Sequence, residues 1–557
     1  MHRTSSNLIC RCEQALESPA ATRVLLVLAA TSVLLGALEP CLGADERPNL
    51  LLIVADDLGY SDLGCFGGEI PTPHLDALAA RGERWTQFYN TGRCCPSRAA
   101  ILTGQYPHRV GLGHMTQDLG QPGYRGRLDA DAKTIADRLA GAGYRCFLSG
   151  KWHLGTDNPT RHGFEEFYGT LVSAKTFWDP DHFVRLSKHR EPTRRNYDAA
   201  EFYGTDSLGD YAIDFLRDAG ATPDQPWFLY LAFNAPHFPL HARPEEIARH
   251  EQQYEAGWDR LREARLKRMK QLGIVGDDVV LSPRSEYWDW GETEPALIPA
   301  WSDLPSDRRG DLSRRMAIYA AMVEVMDRNV GRVLEELRKR GQLDNTLVLF
   351  TSDNGACAEW DPFGFDVRSS RNNTLHWDDQ LAKMGQPGTF HSVGSGWANA
   401  SNTPWRLYKH YNHEGGIASP AILAWPRKIQ GVGGSGAIRR SPAHVIDIAP
   451  TFCHAAGIAA DLPGADLLNL ADETRTLFFE HQGNRAVRRG KWKLVTLRDR
   501  PWELYDLSSD RTERRDLAAQ QPELAQQLAT SWEQWATTHQ VLPLPRDYRV
   551  GYLPTSE

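Results

Sequence analysis

The segment PNLLLIVADDLGY, residues 48–60, has the pattern that decides the fold. Its apolar run, Leu50 to Ala55, is too short for a stable helix and stops at Asp56 and Asp57. A continuous apolar run of this length is typical of a strand buried on both faces of a parallel sheet. We therefore predict a buried strand whose carboxyl end carries two acidic side chains.

Three later segments repeat this pattern of a short apolar run followed by polar residues. They are GYRCFLSGKWHLG (143–155), PWFLYLAFNAPH (226–237) and TLVLFTSDNG (346–355). Helical periodicity precedes two of them, in residues 131–143 and 313–341. This alternation predicts the α/β class, with a large, mostly parallel or mixed sheet flanked by helices. Because ligands bind beyond the carboxyl ends of strands in such sheets, we expect these polar strand ends to form one site.

The C-terminal region has a different pattern. RAVRRGKWKLVTL (485–497) and WELYDL (502–507) are typical of short strands, and PELAQQLATSWEQWA (522–536) is typical of a helix. We predict a catalytic domain over residues 45–464 and a small subdomain over 465–557, built from an antiparallel sheet and one helix. Residues 241–312 are predicted to form a helical and looped insertion. Its Trp288, Trp290 and Trp301 would either stack on a substrate ring or pack in the core.

The N-terminus has the features of an export signal. The apolar segment VLLVLAATSVLLGAL (24–38) follows Arg23, and small residues follow Leu42. We predict a signal peptide over residues 1–44 and export to a periplasmic, secreted or lysosome-like compartment. Glu13 and Glu17 in the leader leave an uncleaved N-terminal anchor open. The mature chain is expected to have no membrane segment.

The overall charge and composition exclude one class of function. The formal net charge is −8, with 41% hydrophobic and 24% charged residues. These values are those of a globular protein and argue against a generally basic nucleic-acid-binding protein. We therefore expect no nucleic-acid partner.

The predicted strand ends supply oxygen ligands suited to a hard cation. Asp56, Asp57, Asp353 and Asn354 offer three carboxylates and one amide oxygen. Such a set selects Ca²⁺ or Mg²⁺, and three close carboxylates without a cation would repel one another. The alternative is that both acidic motifs merely form turns at strand ends.

A basic set accompanies these acids. Histidines that transfer protons and cations that bind oxygens would together form a pocket for a tetrahedral oxyanion. The candidate members are Arg98, Lys151, His153, His237 and Lys409.

Two adjacent cysteines stand out in TGRCCPSRAAILTG, residues 91–104. Neighbouring cysteines rarely bond to each other because the resulting ring is strained. The cysteines that follow the leader are also too few for a disulfide scaffold. At least one thiol of Cys94 and Cys95 therefore serves another purpose.

The pattern C-x-P-S-R followed by AAILTG resembles the first signature of the sulfatase family, whose cysteine is oxidised to Cα-formylglycine. GYRCFLSGKWHLG resembles the second signature of that family. ADDLGYSDLGCFGG (55–68), and SDNG before WRLYKHYNHEGG (405–416), are similar to the remaining family blocks and occur in the expected order. Arg93 departs from the family pattern, which has a small or aliphatic residue there.

The resemblance implies a role for each matching residue. Cys94 would be the modified residue, Cys95 a variable position, and a separate formylglycine-generating enzyme a necessary partner. Arg98 and Lys151 match residues that hold the formylglycine hydrate and the sulfate, while His153 matches its paired histidine. His237 and Lys409 match residues that contact the sulfate and the leaving oxygen. The implied calcium ligands are Asp56, Asp57, Cys94 as formylglycine, Asp353 and Asn354.

The resemblance implies a calcium-dependent sulfuric ester hydrolase acting on an aryl sulfate or a sulfated carbohydrate. One hydroxyl of the formylglycine hydrate would attack sulfur, and the other would allow sulfate to leave. Two alternatives stay open. One is a phosphomonoester, phosphodiester or phosphonate hydrolase of the alkaline-phosphatase-like superfamily, and the other is a catalytically dead protein that binds sulfoglycans.

Overall fold

The computed structural model describes residues 47–222, 224–287, 296–359, 362–367, 373–429 and 436–545. The predicted signal peptide, Trp288 and Trp290 lie outside these residues. The strands are β1 (Asn49–Asp56), β2 (Glu83–Tyr89), β3 (Arg145–Lys151), β4 (Glu166–Thr170), β5 (Val184–Ser187), β6 (Trp227–Pro236), β7 (Glu286–Tyr287), β8 (Ala296–Leu297), β9 (Thr346–Ser352), β10 (Ala418–Ala424), β11 (Ala437–Arg439), β12 (Ala443–His444), β13 (Thr476–His481), β14 (Asn484–Arg489), β15 (Trp492–Thr496) and β16 (Glu503–Asp506). The α-helices are α1 (Pro73–Ala80), α2 (Cys94–Thr103), α3 (Ile135–Gly141), α4 (Gly204–Ala219), α5 (Pro244–Ala248), α6 (Gly257–Gln271), α7 (Ser306–Lys339), α8 (Asp379–Lys383), α9 (Ser395–Ser401), α10 (Glu414–Ile417), α11 (Ile448–Ala455) and α12 (Pro522–Thr538).

The main sheet is mixed, with a parallel centre. Its 10 described strands lie in the order β11-β2-β10-β9-β1-β6-β3-β4-β5, and β12 also pairs with β2. The strands β9, β1, β6, β3 and β4 are mutually parallel neighbours. Strand β10 is antiparallel to β9 and β2, and β5 is antiparallel to β4. The predicted α/β fold with a large parallel or mixed sheet is confirmed.

Strand β1 is apolar throughout because it lies between two hydrophobic cores. Leu51, Ile53 and Ala55 face one core, which includes residues of α4 and α7. The alternate residues, such as Leu52, face a second core with residues of α2, α11 and α12. Period-two alternation of side chains across a strand explains why both faces need apolar residues.

Local interactions explain where α3 begins and where α7 ends. The side chain of Thr134 and that of Asp137 form a capping box at the start of α3. Helix α7 begins at Ser306, before the periodic segment detected in the sequence, and the chain turns at Gly341 with a φ of 67°. That left-handed conformation favours glycine, which explains the stop.

A second, 4-stranded sheet has the order β13-β14-β15-β16. All its pairs are antiparallel, and α12 follows it, so the predicted antiparallel sheet with one helix is confirmed. Strand β13 was not predicted. The boundary after residue 464 and the limits of the 241–312 insertion remain predictions. Within that insertion, Trp301 is buried against Trp258 and Trp397, so it packs in the core.

Among the described residues, no helix combines the length and the apolar character that a bilayer span requires.

Trp532 should be a main anchor of the C-terminal helix. It is 1% exposed, and its Nε1 donates to the Phe479 carbonyl at 3.0 Å. Because truncation leaves a large cavity, we expect Trp532→Ala to lower the free energy of unfolding by about 3–5 kcal/mol in denaturant titrations. Trp377→Ala, at a residue that is 50% exposed, is the matched control. Equal losses in both variants would contradict this role.

Candidate active site

The polar residues at the parallel strand ends meet at one edge of the main sheet. Because β9, β1, β6 and β3 are parallel neighbours, their carboxyl ends lie side by side. Asp56 and Lys151 are the last residues of their strands, while His237 and Asp353 directly follow theirs.

Helix α2 adds a buried arginine to this edge. Cys94 is its first residue, and Arg98 lies one turn later with no exposed surface. The Arg98 Nε donates to Asp353 Oδ2 at 2.8 Å, and Nη1 donates to the Lys151 carbonyl at 3.1 Å. This one side chain therefore connects the ends of β9 and β3.

Two lysines pair with the acidic residues at the carboxyl end of β1. Lys151 Nζ lies 2.6 Å from Asp56 Oδ2, and Lys409 Nζ lies 2.7 Å from Asp57 Oδ1. His237 Nε2 also lies 3.4 Å from Asp57 Oδ2. Buried charges are tolerated only when they are paired, so these contacts explain how the acids can be buried.

Two of the carboxyl groups, Asp353 and Asp56, have unlike electrostatic surroundings. Burial, together with the nearby charge of Asp56, raises the pKa of Asp353 well above its ordinary value. Burial would also raise the pKa of Asp56, but the charges of Lys151, His237 and Arg98 hold it below the ordinary value. Repulsion between the acids thus remains after pairing and would be relieved by a cation.

Two oxygens in this set fit a hard cation. Among the described residues, Asp56 Oδ1 and Asn354 Oδ1 are buried and have no hydrogen-bond donor. Asn354 Nδ2 donates to Asp57 Oδ1 at 2.6 Å, so the amide oxygen of Asn354 points away from Asp57. Carboxylate and amide oxygens are the ligands that Ca²⁺ takes in proteins. The residues present therefore fit the expected ion.

Cys94 and His153 lie together beside the acids. Metal-ligating atoms of Cys94, Cys95 and His153 all lie within 4.8 Å of one another. Burial, followed by the charge of Lys151, lowers the pKa of His153 to about 4, so its imidazole is neutral near pH 7. His153 and Asp57 have φ values of 58° and 68°. Such left-handed non-glycine residues are uncommon, and they concentrate at functional sites.

The cysteines of the described residues are all buried and free. No disulfide competes for Cys94, which agrees with the interpretation that these cysteines form no scaffold.

The structure adds residues that sequence reasoning missed. The Tyr230 hydroxyl accepts from Arg98 Nη1 at 3.4 Å. Glu359 is buried, lies 3.1 Å from Arg93 and lies 4.0 Å from Lys409. This pair explains the unusual Arg93, because Glu359 offsets its buried charge. Tyr230 lies in the apolar part of β6, so the sequence pattern indicates only a core residue there. No sequence motif near Glu359 indicates a role for that residue.

Glycines shape the loop that carries Lys409. A Cβ on Gly415 would lie 2.1 Å from the Leu407 carbonyl, and one on Gly416 would lie 1.9 Å from the Tyr411 carbonyl. The loop can therefore fold back on itself only without side chains at these two positions.

All the predicted site residues lie in this one region. It contains Asp56, Asp57, Cys94, Arg98, Lys151, His153, His237, Asp353, Asn354 and Lys409.

A family model, curated sequences and solved structures all contain proteins similar to this chain. A family model described as Sulfatase matches residues 48–458. An uncharacterised sulfatase of Schizosaccharomyces pombe is 32% identical over 90% of this chain and 96% of its own length. An arylsulfatase of Klebsiella aerogenes is 35% identical over 74% of this chain and 87% of its own. Among solved structures, Ps i-CgsB in complex with k-i-k-neocarrahexaose has a TM-score of 0.63 and 25% identity, covering 91% of this chain and 96% of that one.

Calcium should stabilise the folded protein through the acidic strand ends. After chelator treatment, added Ca²⁺ is expected to raise the melting temperature, because a ligand at about 100 times its Kd stabilises by about 2.7 kcal/mol. Asp56→Asn should remove most of this calcium-dependent shift. Asp499→Asn, at a side chain that is 89% exposed, is the control and should keep it. An unchanged shift in Asp56→Asn would contradict the assignment.

Proposed function

The chain belongs to the sulfatase family, and we propose that it hydrolyses a sulfate monoester with Ca²⁺ and a formylglycine formed from Cys94. The observation that carries this proposal is the meeting of Cys94 with the acidic and basic strand ends. The residues proposed to hold Ca²⁺ are Asp56, Asp57, Asp353, Asn354 and residue 94. The ion would supply positive charge and acidify a hydroxyl bound to it.

The charge balance of the site supports an anionic substrate. Three carboxylates, on Asp56, Asp57 and Asp353, face three bases, on Arg98, Lys151 and Lys409. With a cation bound, which favours the ionised form of Asp353, the charges of these six groups sum to zero, and a divalent cation leaves a surplus of two positive charges. A sulfate ester anion and one ionised hydroxyl would balance that surplus, and the buried bases are fixed before the substrate arrives.

Formylglycine as its hydrate would supply two hydroxyls on one carbon, one to attack sulfur and one to assist the release of sulfate. A separate enzyme would have to oxidise Cys94 for this. His153 is suited to accept a proton at residue 94 because its imidazole is buried and neutral, with a pKa of about 4. Its Nδ1 has no hydrogen-bond partner among the described residues.

His237 is suited to protonate the leaving oxygen. Its Nδ1 lies 2.6 Å from the Phe238 carbonyl, which can only accept, so Nδ1 carries a proton. Its Nε2 lies 3.4 Å from the Asp57 carboxylate, at the edge of the proposed calcium site. Arg98 and Lys151 would orient the sulfate oxygens, and Lys409 would bind near the leaving group.

The names of two similar proteins support the proposed substrate class. The Klebsiella aerogenes relative is an arylsulfatase, and the solved Ps i-CgsB complex contains a carbohydrate. We propose an aryl sulfate or a sulfated carbohydrate as the substrate. Export through the predicted leader is part of this proposal, and residues 24–38 lie outside the described part of the chain.

Replacement of Cys94 should abolish sulfate release. We expect Cys94→Ala to retain the melting temperature of the wild type within a few degrees and to release no sulfate from an aryl sulfate, because residue 94 supplies the attacking oxygen. Peptide mass spectrometry of the wild type should show the cysteine-to-formylglycine mass loss at residue 94.

Cys95→Ala is the matched control, since it keeps the C-x-P-S-R pattern and should still be modified. An active Cys94→Ala protein would contradict the proposed nucleophile. Aryl phosphate hydrolysed faster than aryl sulfate would favour a phosphoryl hydrolase, and an unmodified Cys94 with sulfoglycan binding would favour a dead binding protein.

Loss of His237 should depend on the leaving group. A phenolate that is already a good leaving group needs little protonation, whereas a sugar alkoxide needs it strongly. We expect His237→Ala to lower kcat/KM by about 10²–10⁴-fold on an alkyl or sugar sulfate and by much less on nitrophenyl sulfate. Equal losses on both substrates would show that His237 does not act as the acid.

A further inference from the structure

A second cluster of potential metal ligands borders the active site. We propose that Asp366, His376 and His391 bind a zinc ion. One ligand atom from each residue lies within 4.8 Å of the other two. Neutral imidazoles with one carboxylate form a donor set that suits Zn²⁺ better than Ca²⁺.

The spacing of the ligand atoms agrees with tetrahedral zinc. His391 Nδ1 lies 2.9 Å from Asp366 Oδ1, and His376 Nε2 lies 3.5 Å from Asp366 Oδ2. With zinc–ligand bonds of about 2.0–2.1 Å, neighbouring ligand atoms of a tetrahedron lie roughly 3.3–3.4 Å apart. The two measured distances fall on either side of that value.

The orientation of His376 also indicates a ligand. Its Nε2 is buried and makes no hydrogen bond to any described residue, although a carboxylate oxygen lies 3.5 Å away. A direct hydrogen bond between an imidazole and a carboxylate is shorter, at about 2.7–2.9 Å. The His376 gap is close to the spacing of two ligands on a shared ion, whereas His391 Nδ1 is within hydrogen-bond distance of Asp366 Oδ1 and would exchange that bond for the ion.

The carboxylate is already oriented by other groups, as metal-bound carboxylates usually are. Arg315 Nη2 donates to Asp366 Oδ1 at 2.5 Å, and the Thr374 amide donates to Asp366 Oδ2. Arg315 also pairs with Asp311 at 3.0 Å, so its own charge is offset. Asp366, which is 9% exposed, therefore keeps its negative charge available to a cation.

The position of the cluster indicates what the ion would do. The Phe238 ring contacts that of Phe365 at a centroid distance of 4.9 Å, and Phe238 follows His237. The Leu240 amide donates to the His391 carbonyl at 2.9 Å. An ion joining residues 366, 376 and 391 would thus cross-link the loops packed against the segment that carries His237.

Zinc content tests this inference without any measurement of activity, so its outcome is independent of the proposed sulfatase mechanism. Tag-free protein, stripped with chelator and restored with excess Ca²⁺, would be incubated with ZnCl₂, desalted and analysed for metal by mass spectrometry. We expect one zinc per chain in the wild type and a zinc-dependent rise in melting temperature. His376→Ala and His391→Gln should each weaken zinc binding by at least roughly 10–100-fold, because loss of a direct ligand should weaken binding no less than loss of a residue that is hydrogen-bonded to one.

His454→Ala is the matched control. His454 Nδ1 lies 3.1 Å from Asp466, a histidine–aspartate pair with a 61% exposed imidazole and no third ligand in the described residues. It should retain one zinc, and a wild-type circular dichroism spectrum in every variant would show that the fold persists. A wild type that retains no zinc, or variants that retain as much as the wild type, would overturn the proposal.

Discussion

The buried ion pairs at the carboxyl ends of the parallel strands constrain the rest of this structure. Lys151 pairs with Asp56 at 2.6 Å, and Arg98 Nη2 pairs with Asp353 at 2.8 Å. Removing one partner of a buried pair typically costs about 3–5 kcal/mol, because the other charge is left without compensation. The sheet, helix α2 and the loop of Lys409 must therefore close on one another to within hydrogen-bonding distance.

The second sheet takes part in this closure. Glu414 follows the loop of Lys409, and its carboxylate receives Lys493 Nζ at 3.0 Å and Arg511 Nε at 2.7 Å. The Asn484 amide donates to the His410 carbonyl at 3.0 Å, directly beside Lys409. The C-terminal sheet thus holds the loop that places Lys409 beside Asp57. The sheet therefore contributes to the geometry of the site as well as to the stability of the fold.

The sequence was most informative where local pattern and topology coincide. A buried parallel strand requires apolar residues on both faces, so β1 and the acids at its end could be predicted from residues 48–60 alone. The partner of each acid could not, since Lys409 and Asp57 are 352 residues apart and their pairing depends on the closed loop. Antiparallel β10, inserted between β2 and β9, and the buried Glu359 carry no local signal. The family resemblance identified Lys409 as similar to a catalytic lysine, and the structure showed which residues contact it.

A crystal structure of the calcium-loaded protein, with anomalous scattering used to locate the ion, tests the central claim most directly. The account predicts one strong peak in contact with oxygens of Asp56, Asp57, Asp353 and Asn354 and with residue 94. A map with no ion there, or with calcium bound elsewhere while residue 94 faces away from these oxygens, would contradict it.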